Sequence, residues 1–166
     1  MTKVAVRKAT ENDRDILEDL IGECYSRVYP GWYEADVLTD ALPAMLRIDP
    51  ALLGSGRYFA AIRDGETAGC GGWSTATPGS NAMEAATGHI RHFATHPKYM
   101  RTGVGGAIIQ ACIAEAKAEG VSRLKCFSSR PAEAFYQRHG FKRVDNVNIM
   151  MGDAVFPAVL MEMALA

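Results

Sequence analysis

HIRHFATHPKYMRTGVGGA, residues 89–107, is the stretch from which the fold is read. Residues 89–95 have the composition of a strand, His96-Pro97 marks a turn, and a basic, glycine-rich loop then runs straight into a long helix. Gly103, Gly105 and Gly106 lack a Cβ, so the backbone there can approach a ligand and present bare N–H groups. The first N–H groups of a helix have no partner inside it, and the helix dipole turns its positive end toward the same spot. Strand, glycine loop and helix N-terminus together describe a phosphate or diphosphate site. Two common versions are excluded. A Rossmann fingerprint needs a third glycine where Ile108 stands, and no Gly-Lys-Ser/Thr run of a P-loop occurs anywhere in the chain. The plain alternative is a glycine loop that only turns the chain.

A second block bears on that choice: Ser129, Arg130, Pro131, Ala132, Glu133, Ala134, Phe135, Tyr136, Gln137, Arg138, His139, Gly140, Phe141. Together the two blocks resemble the GNAT superfamily of N-acetyltransferases. That family's acetyl-CoA loop is written Q/R-x-x-G-x-G/A, and here it reads Met100, Arg101, Thr102, Gly103, Val104, Gly105. Its later block, N-x-x-A-x-x-F/L-Y-x-x-x-G-F, is matched at Ala132, Phe135, Tyr136, Gly140 and Phe141. Met100 replaces the usual Gln/Arg, which matters little if backbone N–H groups grip the diphosphate with Arg101 beside them. Ser129 replaces the usual Asn that contacts the pantetheine arm.

The rest of the chain fits one domain, residues 1–166, long enough to bury a single core. Apolar residues make up 48% and charged residues 22%, an ordinary balance for a soluble globular protein. A net charge of -1 argues against a broad basic surface for nucleic acid or an anionic membrane. No apolar run has the length of a membrane span, and the opening MTKVAV lacks a signal-peptide core, so a cytoplasmic protein is expected. Cys24, Cys70, Cys112 and Cys126 have no CxxC spacing and read as buried thiols.

Residues 4–7 read as a first strand. Thr10, Glu11, Asn12 and Asp13 then offer caps for a helix whose apolar face is Ile16, Leu17, Leu20, Ile21 and Cys24. A second helix is predicted over residues 34–45, after the break at Pro30-Gly31. Tyr25, Tyr29, Trp32 and Tyr33, between the two, serve either ordinary packing or the mouth of a substrate site. Residues 57–63 and 67–73 form a predicted hairpin over Asp64-Gly65. Residues 74–86, small and polar, are expected to be a mobile loop. Val104, Ala107, Ile108, Ala111 and Cys112 make a helical stripe that ends near Lys117 and Gly120. A strand over 121–127 runs parallel to the one at residue 89, because a helix separates them. A short helix after Pro131, a strand opening at Phe141 and a final strand over 158–163 complete the chain.

The fold class is therefore mixed α/β. With the resemblance it becomes a GNAT-like fold: a central, mostly antiparallel sheet of six to seven strands, flanked by about four helices. The resemblance further implies that its one parallel pair splays apart to admit acetyl-CoA, with backbone groups of Phe93, Ala94 and Thr95 standing in for the missing strand partner. It also assigns cosubstrate contacts to Met100, Arg101, Thr102, Gly103, Val104, Gly105, Gly106, Ser129, Ala132 and Phe135.

The chemistry follows from the reaction. A protonated amine must lose a proton before it attacks a thioester, charge develops on the carbonyl oxygen, and the departing thiolate is best protonated. Tyr136, at the matching family position, is the candidate acid, and the Ala94 N–H the expected oxyanion donor. His89, where family members carry glutamate or histidine, is the candidate base through a bound water, with Glu84 a weaker one. His92 is expected on the opposite strand face, His96 in a turn and His139 at a helix end, without metal-ligand spacing. No cysteine matches a nucleophile position, so direct transfer to a small amine is expected. A protein N-terminus or lysine as acceptor, or a non-catalytic acyl-CoA-binding module, are the alternatives. The first helices, residues 74–86 and residues 146–157 are expected to recognise the acceptor. Met150, Met151, Val155 and Phe156 read as an apolar edge suited to a homodimer.

Overall fold

Asp64 and Gly65 both adopt positive φ, 53° and 76°, so the turn they make matches the right-handed twist of the strands it joins. The computed structural model describes residues 3–78, 80 and 82–165. Met1-Thr2 of the opening segment, and Gly79 and Asn81 of the expected loop, lie outside the described residues. The elements are β1 (Ala5–Lys8), α1 (Arg14–Val28), α2 (Ala35–Met45), α3 (Pro50–Leu53), β2 (Tyr58–Arg63) and β3 (Glu66–Ser74). They continue with β4 (Thr87–Thr95), α4 (Val104–Ala118), β5 (Arg123–Ser128), α5 (Glu133–Arg138), β6 (Lys142–Met151) and β7 (Ala154–Ala164).

Local chemistry sets the helix starts. The Thr10 N–H donates to the Asp13 carboxylate at 2.8 Å, closing the turn that leads into α1. Leu17, Leu20, Ile21 and Cys24 bury that helix, whereas Ile16 is exposed, one step off the inward stripe. The single turn α3 has no apolar period to reveal it; it forms because Pro50 begins it and the Asp49 carboxylate accepts the Ala51 N–H at 2.9 Å.

The strands form one seven-stranded sheet in the order β1-β2-β3-β4-β5-β7-β6. One face packs α1 and α2 against Tyr58, Ala60, Cys70, Ala94 and Phe156. The other packs α4 and α5 against Trp73, Ile90, Leu124, Cys126, Val159 and Met161. In α4 the buried set is Val104, Ile108, Ile109, Cys112, Ile113 and Ala116, so the inward stripe is broader than the sequence spacing suggested.

Two irregularities in β4 shape the middle of the sheet. Its pairing with β3 runs Cys70↔Ala94 and then Gly72↔Arg91, three residues against two, with His92 at φ 48°. Its parallel pairing with β5 stops after Thr87↔Arg123, Gly88↔Leu124 and His89↔Lys125. Beyond that point Cys126, Phe127 and Ser128 pair with β7 only, and the two parallel strands diverge as expected.

Residues 146–157 are the outer half of the β6–β7 hairpin, with Met150 opposite Val155 and Ile149 opposite Phe156. The expected apolar edge is correspondingly smaller. Phe156 is 1% exposed and stacks on Tyr33 with centroids 4.2 Å apart, and Met151 packs partly against the core. Only Met150 and Val155 of the four remain exposed. Among the described residues no helix is long and apolar enough to cross a membrane.

Candidate active site

The divergence of β4 and β5 opens a cleft of about 1460 Å³. At one end stands the start of α4. Gly103 caps it at φ 89° with nothing within 4 Å of where a Cβ would be, and Arg101 before it also has positive φ, 62°. The first helical bond runs from the Ala107 N–H to the Gly103 carbonyl at 3.0 Å, so the N–H groups of Val104, Gly105 and Gly106 precede the ladder. Arg101, Arg138 and His139 line this end as well. The other two glycines also serve the packing of α4. A Cβ on Gly105 would meet the Phe135 ring, and one on Gly106 the His139 ring, so their bareness lets α4 and α5 close on each other. Thr102 is turned away from the cleft: its hydroxyl donates to the Tyr99 carbonyl, and its own carbonyl accepts from Arg63 at 2.9 Å.

Mid-cleft, Phe93, Ala94 and Thr95 form one wall and Cys126, Phe127, Ser129 and Ala132 the other. The His96 N–H donates to the Ala68 carbonyl at 2.8 Å and the Ala94 N–H faces Cys70, so even-numbered backbone groups serve β3. Strand alternation then turns the groups of Phe93 and Thr95 into the divergence. The Phe93 carbonyl accepts from Tyr25 at 3.3 Å, and the Thr95 N–H reaches the Cys24 thiol. The Ala94 N–H is therefore not available as the oxyanion donor expected of it.

Tyr136 is buried on this wall, edge-on to Phe93, Phe135 and Phe141, with its hydroxyl beside the Cys126 thiol. Burial drives its pKa well above the ordinary phenol range, so it keeps its proton. Ser129 lies against the Tyr29 phenol. Tyr25, Tyr29 and Trp32 line the cleft, and Tyr25 and Tyr29 also stack on each other at 4.7 Å. Tyr33 is purely a packing residue by comparison: its hydroxyl donates to the Pro157 carbonyl at 2.8 Å and accepts the Arg130 N–H at 2.9 Å.

The titratable candidates separate clearly. His89 occupies the last paired position before the divergence, is 3% exposed, and has Nε2 at 3.3 Å from the Thr77 hydroxyl. It is covered rather than lining the cleft, although its neighbours Ile90 and Arg91 and the adjacent Pro78 do line it. Burial and then Lys125 lower its pKa. Glu84 is held by Lys125 at 2.9 Å and Arg123 at 3.7 Å, which lowers its carboxyl pKa and leaves it a poor base. His92, expected on the far face, reaches the cleft because the bulge breaks the alternation; burial and Arg91 push its pKa down to about 4. His96 pairs with Glu23 at 2.8 Å, away from the cleft. All four cysteines are free and buried, and burial pushes Cys126 up to about 12, far from a thiolate at neutral pH.

Residues 15–141 match the acetyltransferase (GNAT) family. The chain belongs to that family. This GNAT protein is an acyl-CoA-dependent acetyltransferase by its family, and its fold recurs in many solved structures. It is similar to a GCN5-related N-acetyltransferase from Rhodopseudomonas palustris (19% identity, 99% and 98% of the two chains covered, TM-score 0.78). It is also similar to the PaiA N-acetyltransferase from Thermoplasma acidophilum in complex with coenzyme A (15%, 98% and 99%, TM-score 0.74). A third is the ribosomal-protein-S18-alanine N-acetyltransferase from Escherichia coli (15%, 99% and 95%, TM-score 0.64). A search of curated proteins finds no match. Within the GNAT cleft, sequence reasoning missed Arg91 and Arg138 as wall residues, whereas Met45 and Ile149 fall in segments expected to face the acceptor. Arg138 carried a legible signal, since it sits inside the second motif; Arg91 carried none.

Proposed function

We propose that this GNAT protein transfers an acetyl group from acetyl-CoA directly to the primary amine of a small molecule. The observation that carries this reading is the junction of three features in one cleft: the open start of α4 at Gly103, the unpaired edge of β4, and the buried phenol of Tyr136. The coenzyme A complex of the Thermoplasma relative supports it. The residues present fit a coenzyme A diphosphate. Unpaired N–H groups of residues 104–106 and the charges of Arg101 and Arg138 converge where Gly103 leaves space.

In this reading Tyr136, kept protonated by burial, gives its proton to the departing thiolate. The Phe93 N–H, rather than that of Ala94, donates to the carbonyl oxygen as charge develops there. His89, neutral near pH 7, takes the amine proton through water beneath Thr77. Transfer is direct, since buried thiols held above their usual range are poor nucleophiles. Walls on both sides of the acceptor half, from Pro78 to Met150 and Met151, favour a small acceptor over a folded protein surface.

Thiol release from acetyl-CoA over a set of small amines, lysine peptides and free N-terminal peptides tests the proposal. Turnover is expected with small amines. Tight coenzyme A binding without turnover on any of them would make the chain a binding module instead.

A further inference from the structure

The charges on the cleft wall are one-sided. Among the described residues its charged side chains are Arg91, Arg101 and Arg138, with His92 and His139 beside them; neither an aspartate nor a glutamate lines it. Arg101 and Arg138 stand at the α4 end, where a diphosphate accounts for them. Arg91 does not. It lies two residues past the last β4–β5 pair, next to Ile90, whose side chain packs on the α4 side of the sheet. Alternation turns Arg91 to the opposite face, toward Asp49 at the start of α3.

There the guanidinium is under-compensated. Its side chain is 14% exposed, it donates to the Ser74 hydroxyl at 3.1 Å, and its nearest carboxylate oxygen, on Asp49, is 4.0 Å away. The other Asp49 oxygen is engaged by the Ala51 N–H. A half-buried cation with a distant counter-charge, on the wall of an apolar and aromatic chamber, favours an anionic partner from outside.

We infer that Arg91 is an acceptor-binding residue, and that the amine acetylated here carries a carboxylate together with an apolar or aromatic body, as an apolar amino acid does. The inference rests on the acetyl-transfer reading above. Polyamines are disfavoured by the same wall, because a second ammonium group finds no acidic side chain on it.

The test compares L-phenylalanine, phenethylamine and spermidine as acceptors for the full chain with saturating acetyl-CoA, alongside binding of N-acetyl-L-phenylalanine and N-acetylphenethylamine in the presence of coenzyme A. A charge-assisted pair at a half-buried site should favour the carboxylate-bearing member by about 10- to 100-fold in kcat/KM and in affinity. Arg91→Gln should collapse that ratio toward unity, mainly through KM, and Arg91→Lys should restore part of it. Equal kcat/KM for phenylalanine and phenethylamine, or a preference for spermidine, overturns the carboxylate subsite. If no amine is turned over yet the acetylated acid still binds more tightly than its decarboxylated counterpart, the subsite stands and acetyl transfer falls. Equal binding in that circumstance overturns the subsite too.

Discussion

A Cβ placed on Gly105 would stand 2.8 Å from Cε1 of Phe135. The first turn of α4 and the α5 helix thus meet through a missing side chain, and Phe135 forms part of the cleft wall as a result. Gly105→Ala gains helix propensity of about 1 kcal/mol and loses a similar amount or more to crowding. Because the ring has open cleft to move into, stability should change by about 1 kcal/mol or less. Coenzyme A affinity should fall clearly. Gly103→Ala should behave oppositely in stability, costing about 1–2 kcal/mol for a left-handed alanine that touches nothing. Urea midpoints and coenzyme A titration of both variants check the contrast.

Tyr136→Phe removes one hydroxyl and little packing. The rate of thiol release should fall about 100-fold or more, within the usual range for a general acid, with KM for acetyl-CoA changed less than about threefold. An unchanged rate removes Tyr136 from the chemistry and leaves it a wall residue beside Cys126.

His89 faces Thr77 behind the cleft wall, with its pKa lowered by burial and Lys125. If it receives the amine proton through water, His89→Ala should flatten the rise of kcat/KM with pH below neutrality. Thr77→Val should shift that rise without abolishing it. A profile identical to the parent's in His89→Ala would dismiss the imidazole as base.

His92 contributes to acid stability alongside His89 and His139, whose pKa values burial also lowers. The folded-state pKa of His92, about 4, lies below the ordinary histidine value near 6.5, so the unfolded chain takes up the proton first. The stabilisation is therefore complete above pH 6.5 and is lost as pH falls toward 4, by about 3 kcal/mol in all. Asp13, held near 2 by its hydrogen bonds to Arg7, adds a loss only below about pH 4. Urea denaturation of the parent should weaken between pH 6.5 and 4.5, and His92→Gln should show a much shallower loss over that window.

Periodicity and turn chemistry carried most of the architecture, because those signals are local. Asp64-Gly65 specified its hairpin, Thr10 to Asp13 the entry to α1, and the glycines after Arg101 the start of α4. The divergence of β4 from β5 came into view through the resemblance alone, since each strand reads as regular by itself. The turn α3 escaped for the opposite reason: four residues are too few to display a period.

From the sequence alone, then, came the family motifs, the order of strands and helices, and Tyr136 as the group to watch. Tertiary structure decided which way each β4 residue faces. The positive φ of His92 inserts one extra residue opposite β3 and breaks the alternation on which any reading of 89–95 depends. It brings His92 to the cleft and turns the Phe93 backbone, not that of Ala94, into the gap. Arg91, which no motif marks, faces an acid too far away to neutralise it fully. Register and burial are sums over neighbours distant in the chain, and no local pattern of residues encodes them.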